Sequence, residues 1–213
     1  MTVSARTSAE YVVVSVEPSE VERIFRDAGA LRDGHFILAS GRHSPRYLEK
    51  FAVLQHPRDT ERLAGAIASW ARESEVETVA GPTTGGIILA HEVARQLGAR
   101  AIYAERREQG VGREFRRGFT LRKGERVLVV DDILTTGGSI QETIDAVRDA
   151  GGVIIGIAVL VDRSSGRFAA GIPTLALWRL DIPTYAPSEC PLCASGTPAV
   201  HPGTTPAPAG AAR

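Results

Sequence analysis

The sequence predicts an α/β fold, a central parallel sheet flanked by helices. Three observations carry this. Apolar runs rich in β-branched residues recur at 76–80, 127–130 and 153–161. They lack the alternation of a half-solvated strand, as strands buried on both faces do. Helical stripes lie between them: Leu63, Ile67 and Trp70, then residues 87–98, then Ile140, Ile144 and Val147, at i, i+4, i+7 spacing where the stripe is complete. Finally, strand, helix and strand follow one another in order. Such crossovers place helices on both faces of a sheet.

A chain of 213 residues, 43% hydrophobic, suits one α/β domain with appendages. Lys plus Arg equals Asp plus Glu, at 25 each. Zero net charge argues against nucleic acid or an acidic membrane as partner. No stretch has the length of a membrane span, and the first residues lack a basic-then-apolar signal pattern. Two cysteines give no disulfide framework. The expected compartment is the cytoplasm.

Residues 1–18 read as an N-terminal arm, with a short strand or ordered stretch at 11–16. Ser19-Glu20-Val21-Glu22 reads as a capping box before a stripe of Val21, Ile24, Phe25 and Ala28. Residues 34–44 are rich in glycine and polar groups and suggest a hairpin, part of a small hood over 31–50. Arg42, His43 and Lys50 are its candidate positive groups; His35 reads as a solvated surface residue. Helix 59–72 should put Trp70 in the core. After the strand at 76–80, Gly81-Pro82-Thr83-Thr84-Gly85-Gly86 turns into the next helix. Residues 100–105 form another strand. Residues 105–117 are crowded with charge, and 115–121 should be the returning arm of a hairpin.

The chemical centre is 126–140, RVLVVDDILTTGGSI. A buried strand ends at Asp131 and Asp132, and Thr135-Thr136-Gly137-Gly138-Ser139 opens a helix. A helix N-terminus offers unpaired N–H groups and a positive dipole end to an anion. Glycines let the backbone approach a phosphate, and the three hydroxyls add donors. Two carboxylates would repel that phosphate, so they should face a sugar diol or a hydrated Mg²⁺. Helix capping accounts for one Asp or one Thr, not for two acids and three hydroxyls. No Lys follows the glycines, so this is no Walker A loop, and no G-x-G-x-x-G is present here.

Strand 153–161 ends in Asp162-Arg163. Arg163 offers a planar fork to a carboxylate; the bland reading is that it pairs with Asp162 or caps the sheet. Residues 175–180 form a last strand. Cys190-Pro191-Leu192-Cys193 is half a zinc site. His201 is a third ligand candidate without diagnostic spacing, and a redox role lacks the strand–helix context. The composition of 195–213 predicts disorder, leaving 19–194 as the domain.

The 126–140 stretch resembles the PRPP-binding motif of the type I phosphoribosyltransferases. The chain from about 21 to 193 is similar to the orotate phosphoribosyltransferases. Gly34, Phe36, Leu38, Ser40, Gly41 and Ser44 match their hood motif. Gly81 to Gly86 match their pyrophosphate loop, Arg106-Arg107 the basic pair of a mobile loop, and Asp162-Arg163 and C-P-L-C their later motifs. The resemblance implies the type I phosphoribosyltransferase fold and transfer of the phosphoribosyl group of PRPP to orotate. The products are orotidine 5′-phosphate and diphosphate, in pyrimidine synthesis. It implies Mg²⁺ held mainly by PRPP and water, with no direct protein ligand, and a homodimer with shared sites.

By the same resemblance, PRPP is held by Asp131, Asp132, Ile133, Leu134, Thr135, Thr136, Gly137, Gly138 and Ser139. Thr83, Thr84, Gly85, Gly86, Arg106 and Arg107 hold it too. Asp131, Asp132 and Arg107 are the implied catalytic residues, and Thr135 and Arg163 bind orotate. The chain departs from the pattern at Ala39 and Gly85, where many relatives carry Lys. The family's later loop Lys and His are missing as well, and Arg113 is the nearest replacement by position. Two other readings stay open: a phosphoribosyltransferase for another base (a purine or uracil), and a non-enzymatic PRPP-sensing regulator.

Overall fold

The structure, a computed structural model, describes residues 15–38 and 40–202. Most of the arm and Ala39 therefore lie outside the described residues. Helix α1 (Pro18–Asp27) leads into a hairpin of β1 (Leu31–Ile37) and β2 (His43–Leu48). The short α2 (Phe51–Leu54), α3 (Pro57–Ala71), β3 (Thr78–Pro82), α4 (Gly85–Leu97) and β4 (Arg100–Arg106) follow. Then come β5 (Arg113–Phe115), β6 (Arg126–Leu134), α5 (Gly138–Asp149), β7 (Val153–Asp162), β8 (Thr174–Arg179) and α6 (Pro191–Ala194).

The main sheet runs β5-β4-β3-β6-β7-β8. Every pairing is parallel except that of β5, which returns antiparallel along β4. The apolar runs are uninterrupted because both faces are covered. On β6, Leu128 and Val130 face a core built with Phe25 of α1, Leu63 and Ile67 of α3, and Leu89 and Val93 of α4. Val127 and Val129 alternate to the other face, against Ile140, Ile144 and Val147 of α5. Each such side chain, fully buried, contributes about 1.5–3 kcal/mol.

The strand order positions the site. From β3 the chain crosses to β4 on one side; from β6 it crosses to β7 on the other. The carboxyl ends of β3 and β6 thus flank the point where the winding reverses, the crevice where open α/β sheets bind ligands.

Four local expectations are corrected. The capping box does not form: α1 starts two residues earlier, at Pro18, with Glu17 as N-cap and no side-chain cap bond. Proline fits the first helical turn, and its fixed φ shifts the start. The return of the charged hairpin is only Arg113–Phe115, and residues 116–121 form no strand. Its Gly118 and Arg117 take left-handed φ, which ends the ladder. Trp70 is 40% exposed, its ring lying over Gly156 of β7. The start of the tail, through residue 202, packs on the hood. Val200 N donates to His35 O at 2.9 Å and Val200 O accepts from Ile37 N at 2.9 Å. The edge of the hood supplies backbone partners that composition does not reveal. Residues 203–213 lie outside the described residues. Among the described residues no helix is long and apolar enough to cross a membrane.

Candidate active site

A cleft of about 260 Å³ opens at the ends of β3, β6 and β7. It is lined by Thr83 and Thr84 after β3, Asp131, Asp132, Ile133, Thr135 and Ser139 along β6 and its loop, and Arg163 after β7. Residues far apart in the chain, from Thr83 to Arg163, meet here because three parallel strands end at one level.

Asp131 and Asp132 are fixed by their own backbone. Asp132 N donates to Asp131 Oδ1 at 2.8 Å, and Ile133 N donates to Asp132 Oδ1 at 2.7 Å. Both carboxylates are buried. Burial, and then the neighbouring Asp132 charge, push the Asp131 carboxyl up to about 7. Lys50, at the end of the hood, donates from Nζ to Asp132 Oδ1 at 3.0 Å and also stands 3.0 Å from Oδ2. Oδ2 itself is buried with no hydrogen-bonded partner among the described residues. Oδ2 packs against Gly85 and stays within ion-pair distance of Lys50.

The two loops after β3 and β6 each deliver a helix start. Neither α4 nor α5 has a side-chain cap, so the first N–H groups of both are left for an anion. Residues 133–140 with Asp131 enclose a small recess at the α5 end. Gly137 turns the chain there at φ +85°, a conformation that costs other residues about 1–2 kcal/mol. At the α4 end, a Cβ on Gly85 would overlap the Asp132 carboxylate. That is a local reason for glycine at 85. Lys50 reaches the same carboxylate from the hood. The sequence named Lys50, but not its partner. Arg42, the other charged candidate, binds Thr184 instead, and His43 is buried beneath the hood.

Arg163 is held by its backbone N donating to Leu134 O at 2.7 Å. Asp162 does not pair with it: its Oδ1 accepts from Ser164 N at 2.7 Å. Arg163 Nε is buried without a hydrogen-bonded partner among the described residues, and burial lowers its pKa. A desolvated guanidinium with a vacant donor is a receptor for an anion.

The charged hairpin divides. Arg113, weakly signalled by the sequence, turns inward and is 4% exposed. Its Nη1 donates to Thr83 Oγ1 at 2.9 Å and Ala104 O at 3.1 Å, and Nε lies 3.2 Å from Glu142 Oε2. Arg106 ends β4 exposed. Arg107 lies outside the cleft, 3.3 Å from Asp149 Oδ2 on the outer side of α5.

Comparison with known proteins agrees with this architecture. Residues 52–171 match the phosphoribosyl transferase domain. The chain is 49% identical over 185 residues to the orotate phosphoribosyltransferase of Pelotomaculum thermopropionicum, covering 87% of this chain and 96% of that protein. It is 43% identical over 184 residues to that of Thermotoga petrophila, covering 86% and 97%. The crystal structure of orotate phosphoribosyltransferase from Aeropyrum pernix superposes with a TM-score of 0.65 at 27% identity, over 75% of this chain and 93% of that one. Adenine phosphoribosyltransferase from Thermoanaerobacter pseudethanolicus, at 19% identity and a TM-score of 0.55 over 63% of this chain and 88% of that one, shares the fold. With strand order, paired strand-end loops and sequence in agreement, this chain belongs to the phosphoribosyltransferase family, among the orotate phosphoribosyltransferases.

Proposed function

We propose that this chain transfers the phosphoribosyl group of PRPP to orotate, yielding orotidine 5′-phosphate and diphosphate. One observation carries the choice of base: the buried, unpartnered Arg163 Nε at the mouth of a cleft whose other wall is the acid pair. Orotate is a pyrimidine with a carboxylate, and a guanidinium fork matches it. Purines and uracil offer no such anion. A regulator reading has no comparable support.

The chemistry follows from the surroundings. The C1–O bond of ribose breaks, the electron pair leaves with the diphosphate, and a ring nitrogen of orotate bonds to C1 while its N–H proton passes to the diphosphate or to water. Residues Thr135 to Ser139 take the 5′-phosphate. Asp131 and Asp132 accept hydrogen bonds from the ribose diol, which orients C1 towards the base. Thr83 to Gly86 receive the diphosphate at the α4 N-terminus. Arg113, donating to Thr83, supplies positive charge there in place of the missing loop Lys and His. Thr135 and Arg163 hold orotate. The Asp132 carboxylate, buried and already paired with Lys50, suits contact through a metal-bound water better than direct ligation. Mg²⁺, carried on PRPP, would neutralise the departing diphosphate. Arg106 and Arg107 lie off their own cleft, which suits a closing role on a neighbouring subunit of a homodimer. The setting is the cytoplasm.

The test is the loss of orotate absorbance with purified protein, PRPP and Mg²⁺, with adenine, hypoxanthine and uracil in parallel. Turnover with orotate alone is the expected result. Turnover with another base instead would overturn the substrate, and PRPP binding without any turnover would favour the regulator.

A further inference from the structure

Under the hood, four side chains converge that the transfer reaction does not use. His35 and His43 come from the two strands of the hairpin, Cys190 and Cys193 from the start of α6. Their ligand atoms all lie within 4.8 Å of one another. His35, His43 and Cys190 are buried, while Cys193 forms the outer corner. The sequence reading placed His35 on the solvated surface; it is 3% exposed. It also offered His201 as the partner of C-x-x-C, whereas the hairpin pair completes the set.

We propose that His35, His43, Cys190 and Cys193 form a structural zinc site that fastens the C-terminal segment to the hood. Donor chemistry points to it first. His35 Nδ1 lies 2.7 Å from Thr197 O. A carbonyl oxygen only accepts, so Nδ1 carries the proton and Nε2 presents a bare lone pair to the cluster. Metal-bound histidines are oriented by this kind of outer hydrogen bond. Distances agree as well. Zn–S bonds of about 2.3 Å and Zn–N bonds of about 2.0–2.1 Å place tetrahedral S and N ligands about 3.5 Å apart. The S···N separations are 3.5 Å (Cys190 to His35), 3.7 Å (Cys193 to His35) and 3.2 Å (Cys193 to His43). The two ring nitrogens are 2.8 Å apart, and a small ring rotation reaches the tetrahedral spacing of about 3.3 Å.

Charge is the third argument. Two thiolates neutralise Zn²⁺, so the buried set carries no net charge to desolvate. Four protein ligands leave no open position, which is the mark of a structural site rather than a catalytic one. The backbone around the set already ties the same segments together: His43 pairs with Tyr185, and Ile37 and His35 with Val200. A metal would add a crosslink between a hairpin and residues about 150 positions later, closing a long loop.

The test uses the full chain, purified under reducing conditions from zinc-replete cells. Elemental analysis should find about one zinc per chain, falling to less than about a tenth in Cys190→Ser and Cys193→Ser. Should those variants fail to fold, Co²⁺ added to metal-stripped wild-type protein decides. It should give the intense ligand-field bands of tetrahedral cobalt together with thiolate-to-cobalt charge transfer. Zinc near zero with no cobalt spectrum would overturn the proposal. So would full zinc retained in both cysteine variants, or a Cys190–Cys193 disulfide in the freshly lysed protein.

Discussion

Thr83-Thr84-Gly85-Gly86 and Thr135-Thr136-Gly137-Gly138 spell the same four residues at the ends of adjacent parallel strands, and their glycines answer opposite needs. In the first loop they make room. A Cβ on Gly85 would strike Asp132 and one on Gly86 would crowd Pro82. In the second loop they set backbone shape. Gly137 takes a left-handed φ, with Phe168 packed over it, while a Cβ on Gly138 would meet nothing nearer than Thr136 Oγ1 at 3.7 Å. One loop is built to admit a carboxylate from its neighbour. The other is built to hold helix N–H groups open to solvent. The two interlock through Asp132, so a change in one loop is felt in the other.

The most severe break removes that link. Asp131→Asn together with Asp132→Asn should cut turnover by at least about 1000-fold, with the fold intact by circular dichroism. Near-normal kinetics in this double variant would refute the assignment of the acid pair.

Gly137→Ala comes next. Left-handed strain of about 1–2 kcal/mol adds to displacement of Phe168, and the PRPP KM should rise more than about tenfold in steady-state kinetics. Gly85→Ala should act through Asp132 instead, loosening its pair with Lys50. A charge-assisted hydrogen bond is worth about 1.5–3 kcal/mol, so kcat/KM should fall about tenfold and Tm should drop by several degrees. Gly138→Ala is the control, with kinetics within about twofold of the parent. If Gly85→Ala and Gly138→Ala behave alike, the two loops do not interlock.

A milder effect is set by pH. The Asp131 pKa is raised to about 7 by burial and by Asp132. The empty folded site therefore binds a proton that the unfolded chain releases near the ordinary carboxyl value of 3.8. That contribution to stability is present below about 4 and is lost as pH rises through about 7. Ribose hydroxyls favour the anion, so PRPP binding expels the proton. Affinity should climb towards pH 7, by at most about tenfold per unit, and then level off. Calorimetry in two buffers of different ionisation enthalpy measures the released proton. Asp131→Asn should abolish the part of that release not due to PRPP itself; an unchanged release would contradict the account.

Much of this was legible in the sequence because parallel strands, helix stripes and strand-end loops are local patterns. The runs ending at Ala80, Val130 and Val161 are apolar on both faces, and each loop follows its strand directly. What was hidden depends on distant contacts. Lys50 meets Asp132 across 82 positions. Arg113 looks like one surface charge among many until β5 folds it under Thr83. C-x-x-C finds its histidines on a hairpin more than 140 positions earlier, at a spacing of eight that no helix or metal motif would suggest.

Steady-state kinetics of Arg163→Ala bear most directly on the assignment of orotate to this cleft. The orotate KM should rise at least about tenfold, from loss of a charge-assisted hydrogen bond, while the PRPP KM stays close to that of the parent. An equal rise in both would mean that Arg163 does not select the base, and would contradict the assignment of orotate to this site.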